Sequence, residues 1–140
     1  MNIIFGDAIE QVADTHTVLE LDTFKLLPSE KLVKSYCVID NLPLAEFPQL
    51  EANKKIHHQL MEQYQQQNWE FCRSAVHSLI GCWNGEIDTF YQHLSKRIDE
   101  YSTNPPGEDW DSVIVKNKSR FYRDLFNEYY NLHRVSQIKQ

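Results

Sequence analysis

The feature that most constrains this chain is a set of three apolar stripes with helical spacing, interrupted twice between residues 50 and 101. Ile56, Leu60 and Tyr64 recur every fourth residue, with His57 and Met61 beside them. After "QQQN" at residues 65–68, a second stripe holds Trp69, Cys72, Val76, Leu79, Ile80 and Trp83. After "NG" at Asn84–Gly85, a third holds Ile87, Phe90, Tyr91, Leu94, Ile98 and Tyr101. Apolar residues at three- and four-residue intervals put one face of a helix against a core. Interruptions this short make successive helices antiparallel neighbours. The spacing therefore predicts a three-helix run over residues 50–101.

The flanking segments read differently. Asp7 and Glu10 have capping-box spacing ahead of Ile9, Val12 and Ala13, which predicts a short first helix. In "THTVLELDTF", Leu19 and Leu21 alternate with Glu20 and Asp22, the period of a half-buried strand. "KLLPSEKLV" reads as a loop or brief helical turn around Pro28, and "KSYCVI" as the partner strand. Two strands alone are marginal in water, so they must pack on helices. "DNLPLAEFPQL" is punctuated by Pro43 and Pro48, and is expected to lay Leu42, Leu44 and Phe47 over the core. "STNPPGEDWD" at 102–111 is a Pro-rich loop, and "SVIV" at 112–115 a short strand or extended patch. A C-terminal helix over 116–136 then carries Phe121, Leu125, Tyr129 and Leu132 on one stripe and Tyr122, Phe126 and Tyr130 on the next. The expected fold is α+β and mostly α. It is a bundle of about four main helices with a small two-stranded β element near the N-terminus, all in one domain over 1–140.

Composition sets the class. With 41% hydrophobic and 12% aromatic residues in 140, the chain can bury a core. No apolar run approaches the roughly 20 residues of a membrane-spanning helix. The opening "MNIIFGDAIE" lacks a basic region before its apolar residues, unlike a secretory signal. Cys37, Cys72 and Cys82 are an odd number at irregular spacing, which points to reduced thiols. The expected location is the cytoplasm, of a cell or of an infected host. Residues 1–115 hold 8 Lys/Arg against 18 Asp/Glu, and residues 116–140 hold 6 against 2. An acidic body with a basic tail argues against general nucleic-acid binding, which needs accumulated positive charge.

No catalytic or metal motif emerges. His57, His58, His77, His93, Cys72 and Cys82 invite a zinc reading, but no CxxC, HExxH or His-x-His spacing occurs. Cys37 sits in an expected core strand, where a thiol is inert. Glu108, Asp109 and Asp111 lack the twelve-position loop of an EF-hand, and four scattered glycines do not form a phosphate loop. No cofactor, metal or catalytic residue is therefore expected. Trp110, set among carboxylates in the Pro-rich loop, either folds back as a lid or meets a partner. The basic, aromatic tail (Lys116, Lys118, Arg120, Phe121, Tyr122, Arg123, Phe126, Tyr129, Tyr130, Arg134) supports two readings. It caps the core, or it presents rings and cations to a partner. The interaction candidates are Trp110, Arg120, Tyr122, Arg123, Phe126, Tyr130 and Arg134.

Over residues 34–100 the spacing of Tyr64, Asn68, Trp69, Cys72, Val76, Asp88 and Arg97 resembles the tetratricopeptide-like helical tail that follows the catalytic domain of class III adenylate and guanylate cyclases. "SYCVIDNLPL" is similar to the strand that hands such a domain to its tail. The cyclase catalytic segment, with its metal-binding aspartates, has no counterpart here, so the resemblance implies shared packing and not cyclase activity. "HTVLELDTF" and "CWNGEID" also give the chain the look of small uncharacterised proteins of tailed phages of marine bacteria.

The expected function is a non-enzymatic protein-interaction module, read as a phage accessory protein acting on a host partner. Its partner would be a protein or a second copy of the chain, engaged through the C-terminal helix, without nucleic acid or membrane. One alternative is a nucleotide or small-ligand binder related to cyclase tails. Another is a single-stranded nucleic-acid-binding accessory that uses the basic aromatic helix.

Overall fold

A computed structural model describes residues 1–125 and the backbone of residues 134–135. The chain divides into two compact units, unit 1 being Met1–Asp40 with Val113–Gln140 and unit 2 being Asn41–Ser112.

Unit 1 is built on a mixed sheet. Its strands are β1 (Asn2–Phe5), β2 (Thr17–Leu27), β3 (Lys31–Ile39), β4 (Ile114–Asn117) and the two-residue β5 (Arg134–Val135), in the order β4-β2-β3-β1-β5. β2 and β3 form an antiparallel hairpin, β1 pairs antiparallel with β3, and β4 and β5 add parallel strands at the two edges. This overturns the expectation of a helical bundle with a two-stranded element. The hairpin strands run almost to Pro28, so most of the segment read as a loop is strand. At the tight turn, the Leu26 carbonyl accepts from the Glu30 N–H at 2.8 Å.

The missed N-terminal strand, β1, has a physical cause. Ile3, Ile4 and Phe5 are all buried, as are Cys37, Val38 and Ile39. One face of the sheet packs Ile4 and Val38 against Ala8, Ile9 and Val12 of a 3-10 turn over Gly6–Gln11. The other face takes Phe121, whose ring lies 5.4 Å from Phe5 and 5.0 Å from Phe24. A strand covered on both faces loses the alternation that reveals strands in sequence. The first turn is also not the capped helix expected. Phe5 occupies its N-cap position without a side-chain cap, and Ala13 is exposed.

A bulge interrupts β2 between Glu20 and Thr23, where Leu21 and Asp22 are both buried. The Ser35 hydroxyl donates to the Asp22 carbonyl at 2.7 Å. That bond satisfies a backbone acceptor at the point where a bulge disrupts the ladder.

Ile114–Asn117 is a strand and Lys118–Arg120 a 3-10 turn, so the C-terminal helix begins at Phe121 rather than 116. Its described part, α4, is Phe121–Asp124. The Asn117 side chain accepts the Ser119 N–H at 3.0 Å and so caps the entry to this segment.

Unit 2 holds α1 (Leu50–Gln65), α2 (Trp69–Leu79) and α3 (Asp88–Thr103). Asn68 caps α2 by accepting the Phe71 N–H, and its amide also donates to Gln63 Oε1 at 2.9 Å. Leu60, Cys72, Val76, Leu79, Ile87, Phe90, Leu94 and Ile98 form the buried seam. The connector before α1 departs from expectation. Leu44 is 81% exposed and Phe47 53%, so neither covers the core. They sit three residues apart on a 3-10 turn over Leu44–Gln49, which places both on one outward side.

The same turn aims Glu46 at the corner between α2 and α3. Trp83, Asn84 and Gly85 all have left-handed backbone, with φ of 58°, 55° and 72°. For a bulky residue such as Trp83 that conformation is strained and needs support from its surroundings. The Glu46 carboxylate supplies it, accepting the Trp83 N–H at 2.7 Å and the Asn84 N–H at 2.9 Å. The Trp83 indole N–H in turn donates to the Tyr91 hydroxyl at 3.0 Å, and that oxygen lies 2.8 Å from His57 Nδ1. This buried chain of polar groups fixes the corner from inside.

Candidate functional site

In unit 1 the β2–β3 turn and the start of α4 enclose a cleft of about 290 Å³, lined by Leu26, Ser29, Lys31, Val33, Lys118, Phe121 and Tyr122. Each wall follows from local structure. Leu26 and Val33 are core residues of the hairpin strands and, with Phe121, form an apolar floor. Lys31 opens β3, and Lys118 opens the 3-10 turn that Asn117 caps. Tyr122 leans edge-on against Phe5 at 5.6 Å and lies tilted against Phe121 at 5.2 Å, yet remains 51% exposed. A half-exposed ring thus shares the cleft with two lysines, and no carboxylate lines it.

The Ser29 hydroxyl is engaged in the turn, donating to the Leu26 carbonyl and accepting from the Lys31 N–H, each at 3.3 Å. No histidine, thiol or carboxylate in the lining could take a proton from it. The cleft is chemically suited to hold an anion against an aromatic wall. Lys116, on β4 nearby in sequence, is tied to Asp124 at 3.8 Å.

Of the residues singled out from sequence, Arg120, Tyr122 and Arg123 lie exposed on the 3-10 turn and α4, while Phe121 and Leu125 are buried. Arg134 falls in β5. Phe126, Tyr129, Tyr130 and Leu132, and the side chain of Arg134, lie outside the described residues. The sequence did not bring Lys31 into this group. It is more than eighty residues away in the chain and is brought toward Lys118 by two pairings, Leu26 with Lys31 across the hairpin and Leu26 with Lys116 across β2 and β4.

Trp110 lies in unit 2. Its ring packs 5.2 Å from Tyr64, 5.6 Å from Trp69 and 5.1 Å from Tyr101, and Trp69 stacks on Tyr101 at 5.5 Å. Four rings at these separations fill one another's space and leave no cage. They pin the Pro-rich loop to the ends of α1 and α3, helped by a hydrogen bond from the Gln67 amide to the Gly107 carbonyl. Beside Trp110 lies an open groove of about 590 Å³, lined by Gln65, Gln66, Gln67, Pro105, Gly107 and Glu108.

Two of the thiols are held in their protonated form. Burial pushes the Cys72 pKa up to about 11. Burial raises that of Cys82 as well, with Glu46 and Asp88 adding to the effect. Cys37 is buried in β3. Among the described residues no group of three or more His, Cys, Asp or Glu is placed to hold a metal ion, and no helix is long and apolar enough to cross a membrane. Compared with protein-family models, with curated proteins and with solved structures, the chain matches none.

Proposed function

We propose that the chain is a non-enzymatic protein-interaction module whose cleft in unit 1 captures an acidic segment of a partner protein. One observation carries the reading: Tyr122, half exposed, stands with Lys31 and Lys118 around a cleft that no carboxylate lines. Exposed Arg120 and Arg123 on the same short segment extend the positive surface. Among the described residues neither arginine has an ion pair. Tyrosine and arginine are the residue types over-represented where binding energy concentrates. A partner carboxylate would meet the ammonium groups while its apolar stem lies on Phe121 and Tyr122.

The test is calorimetric titration with a hexaglutamate peptide, with hexalysine as control. Binding to hexaglutamate that weakens as salt rises is expected, and it should be lost in the double variant Lys31→Glu/Lys118→Glu. Equal affinity of that variant and the wild type would overturn the reading. A second reading, capture of a free small anion, is favoured by the size of the cleft. At about 290 Å³ it lies at the lower edge of small-ligand sites, which run from about 300 to 1,000 Å³. Displacement of the peptide by free nucleotide at comparable concentration would favour that alternative.

A further inference from the structure

The open groove of unit 2 has the opposite character to the cleft. α1 and α3 both end beside it, since Gln65 closes α1 and the Pro-rich loop leaves α3 directly. A helix C-terminus carries partial negative charge on its unpaired carbonyls. Neither helix has a basic residue of its own in its last turn to offset that charge; on α3 the Arg73 guanidinium of α2 reaches Ser102 and Asp99, which leaves the α1 end the less compensated of the two. Glu108 in the groove wall and the neighbouring exposed Asp109 add full negative charges. Unit 2 as a whole holds five Lys/Arg against eleven Asp/Glu, and so carries the chain's entire net charge of −6. The Trp110 indole lines the groove and is partly exposed, and indole is the ring type that attracts cations best. Gln65 and Gln66 add exposed amides that can bond an incoming backbone.

The occupant such a groove selects is a short cationic segment, and this chain displays one. Lys118, Arg120 and Arg123 are exposed within six residues, with Tyr122 between them. We propose that the protein associates head to tail with copies of itself, the groove of unit 2 receiving the Lys118–Arg123 segment of the next copy. The inference rests on the reading that this segment is a partner-binding surface, and it names the partner. The two faces of the contact are different patches, so the contact is heterologous. Such contacts repeat into rings or open chains rather than stopping at a symmetric pair.

Analytical ultracentrifugation on the full chain decides it. At low ionic strength the weight-average mass should climb with concentration above the 16.6 kDa of one chain. It should fall back in about 1 M salt, where charges are screened beyond roughly 3 Å. The variants Glu108→Lys/Asp109→Lys and Lys118→Glu/Arg120→Glu change exposed positions only, and circular dichroism should show both folded. Each alone should weaken association on the order of a hundredfold, because like charges are then set against each other. Mixing the two variants should restore association, since every surface regains a complementary one. A wild type that stays monomeric, a groove variant that associates like wild type, or a mixture that fails to recover would each overturn the proposal. If hexaglutamate still binds the wild type through Lys118 while the chain remains monomeric, self-association fails but the acidic-partner reading stands. If neither occurs, both fail.

Discussion

Unit 2 is one continuous stretch whose helices pack against their sequence neighbours, whereas unit 1 is assembled from the two ends of the chain. In unit 2, Leu94 and Ile98 reach their partners through turns of a few residues. In unit 1, Phe24 on β2 meets Phe121 nearly a hundred residues away. Local contacts leave a periodic trace in the residues between them, and distant contacts leave none. The difference also separates charge. The acidic excess lies in unit 2, while unit 1 holds equal numbers of acidic and basic residues. The basic tail is therefore not an appendage to an acidic body. It supplies two edge strands and one covered face of a sheet.

If unit 1 depends on that distant segment, removing the ring that ties it down should produce the largest effect. Phe121 is 2% exposed and wedged edge-on between Phe5 and Phe24. Phe121→Ala should cost about 3–5 kcal/mol, the range for emptying a buried aromatic site. The measurement is the urea midpoint followed by circular dichroism. A shift below about 1 kcal/mol would show that the sheet does not rely on α4 for its cover.

This contrast explains what could be read from the sequence. The stripes at 56–64, 72–79 and 87–98 fall on α1, α2 and α3 because each helix buries one side, so apolar residues return every three or four positions. β1 could not be found that way, because "NIIF" is short and its last three residues are all buried. β4 is a four-residue edge strand whose pairing with β2 crosses the whole of unit 2 in sequence. Four of the seven residues lining the cleft were invisible for the same reason. Lys118, Phe121 and Tyr122 stood out as a basic aromatic run, but their facing wall comes from the β2–β3 turn. The Glu46 support of the Trp83 corner was equally hidden, since nothing in "AEF" signals a carboxylate bound to two amides 37 and 38 residues on.

A smaller effect sharpens the comparison from the side of unit 2. The raised Cys72 pKa means that the folded state keeps its proton while the unfolded thiol loses its own near pH 9. Between about pH 9 and 11 the folded state therefore binds more protons, and stability must fall as pH rises. The shift corresponds to roughly 2–3 kcal/mol at the top of that window. Cys82 and Tyr36, both raised mainly by burial, add in the same direction. Denaturation midpoints measured from pH 8 to 10.5 should decline, and the decline should be shallower in Cys72→Ala. Parallel curves for the two proteins would show that the thiol is not sealed between α1 and α2 as described.

The smallest expected effect falls where the sequence reading of unit 2 failed. Leu44 follows a proline and precedes a helix, and its apolar character suggested a lid on the core. Its side chain is instead 81% exposed, because the 3-10 turn is oriented by Glu46, which points inward to hold the Trp83 and Asn84 amides. With Glu46 facing the corner, Leu44 and Phe47 are turned outward. Apolar character thus lost to two charge-assisted hydrogen bonds, each of about 1.5–3 kcal/mol. Leu44→Ser should leave the urea midpoint within about 0.5 kcal/mol of wild type, as surface substitutions do. Glu46→Gln, one turn position away, should cost about 1–3 kcal/mol, since the amide keeps one acceptor oxygen and loses the charge. A large loss for Leu44→Ser would restore the lid reading. A neutral Glu46→Gln would mean that the left-handed corner holds itself.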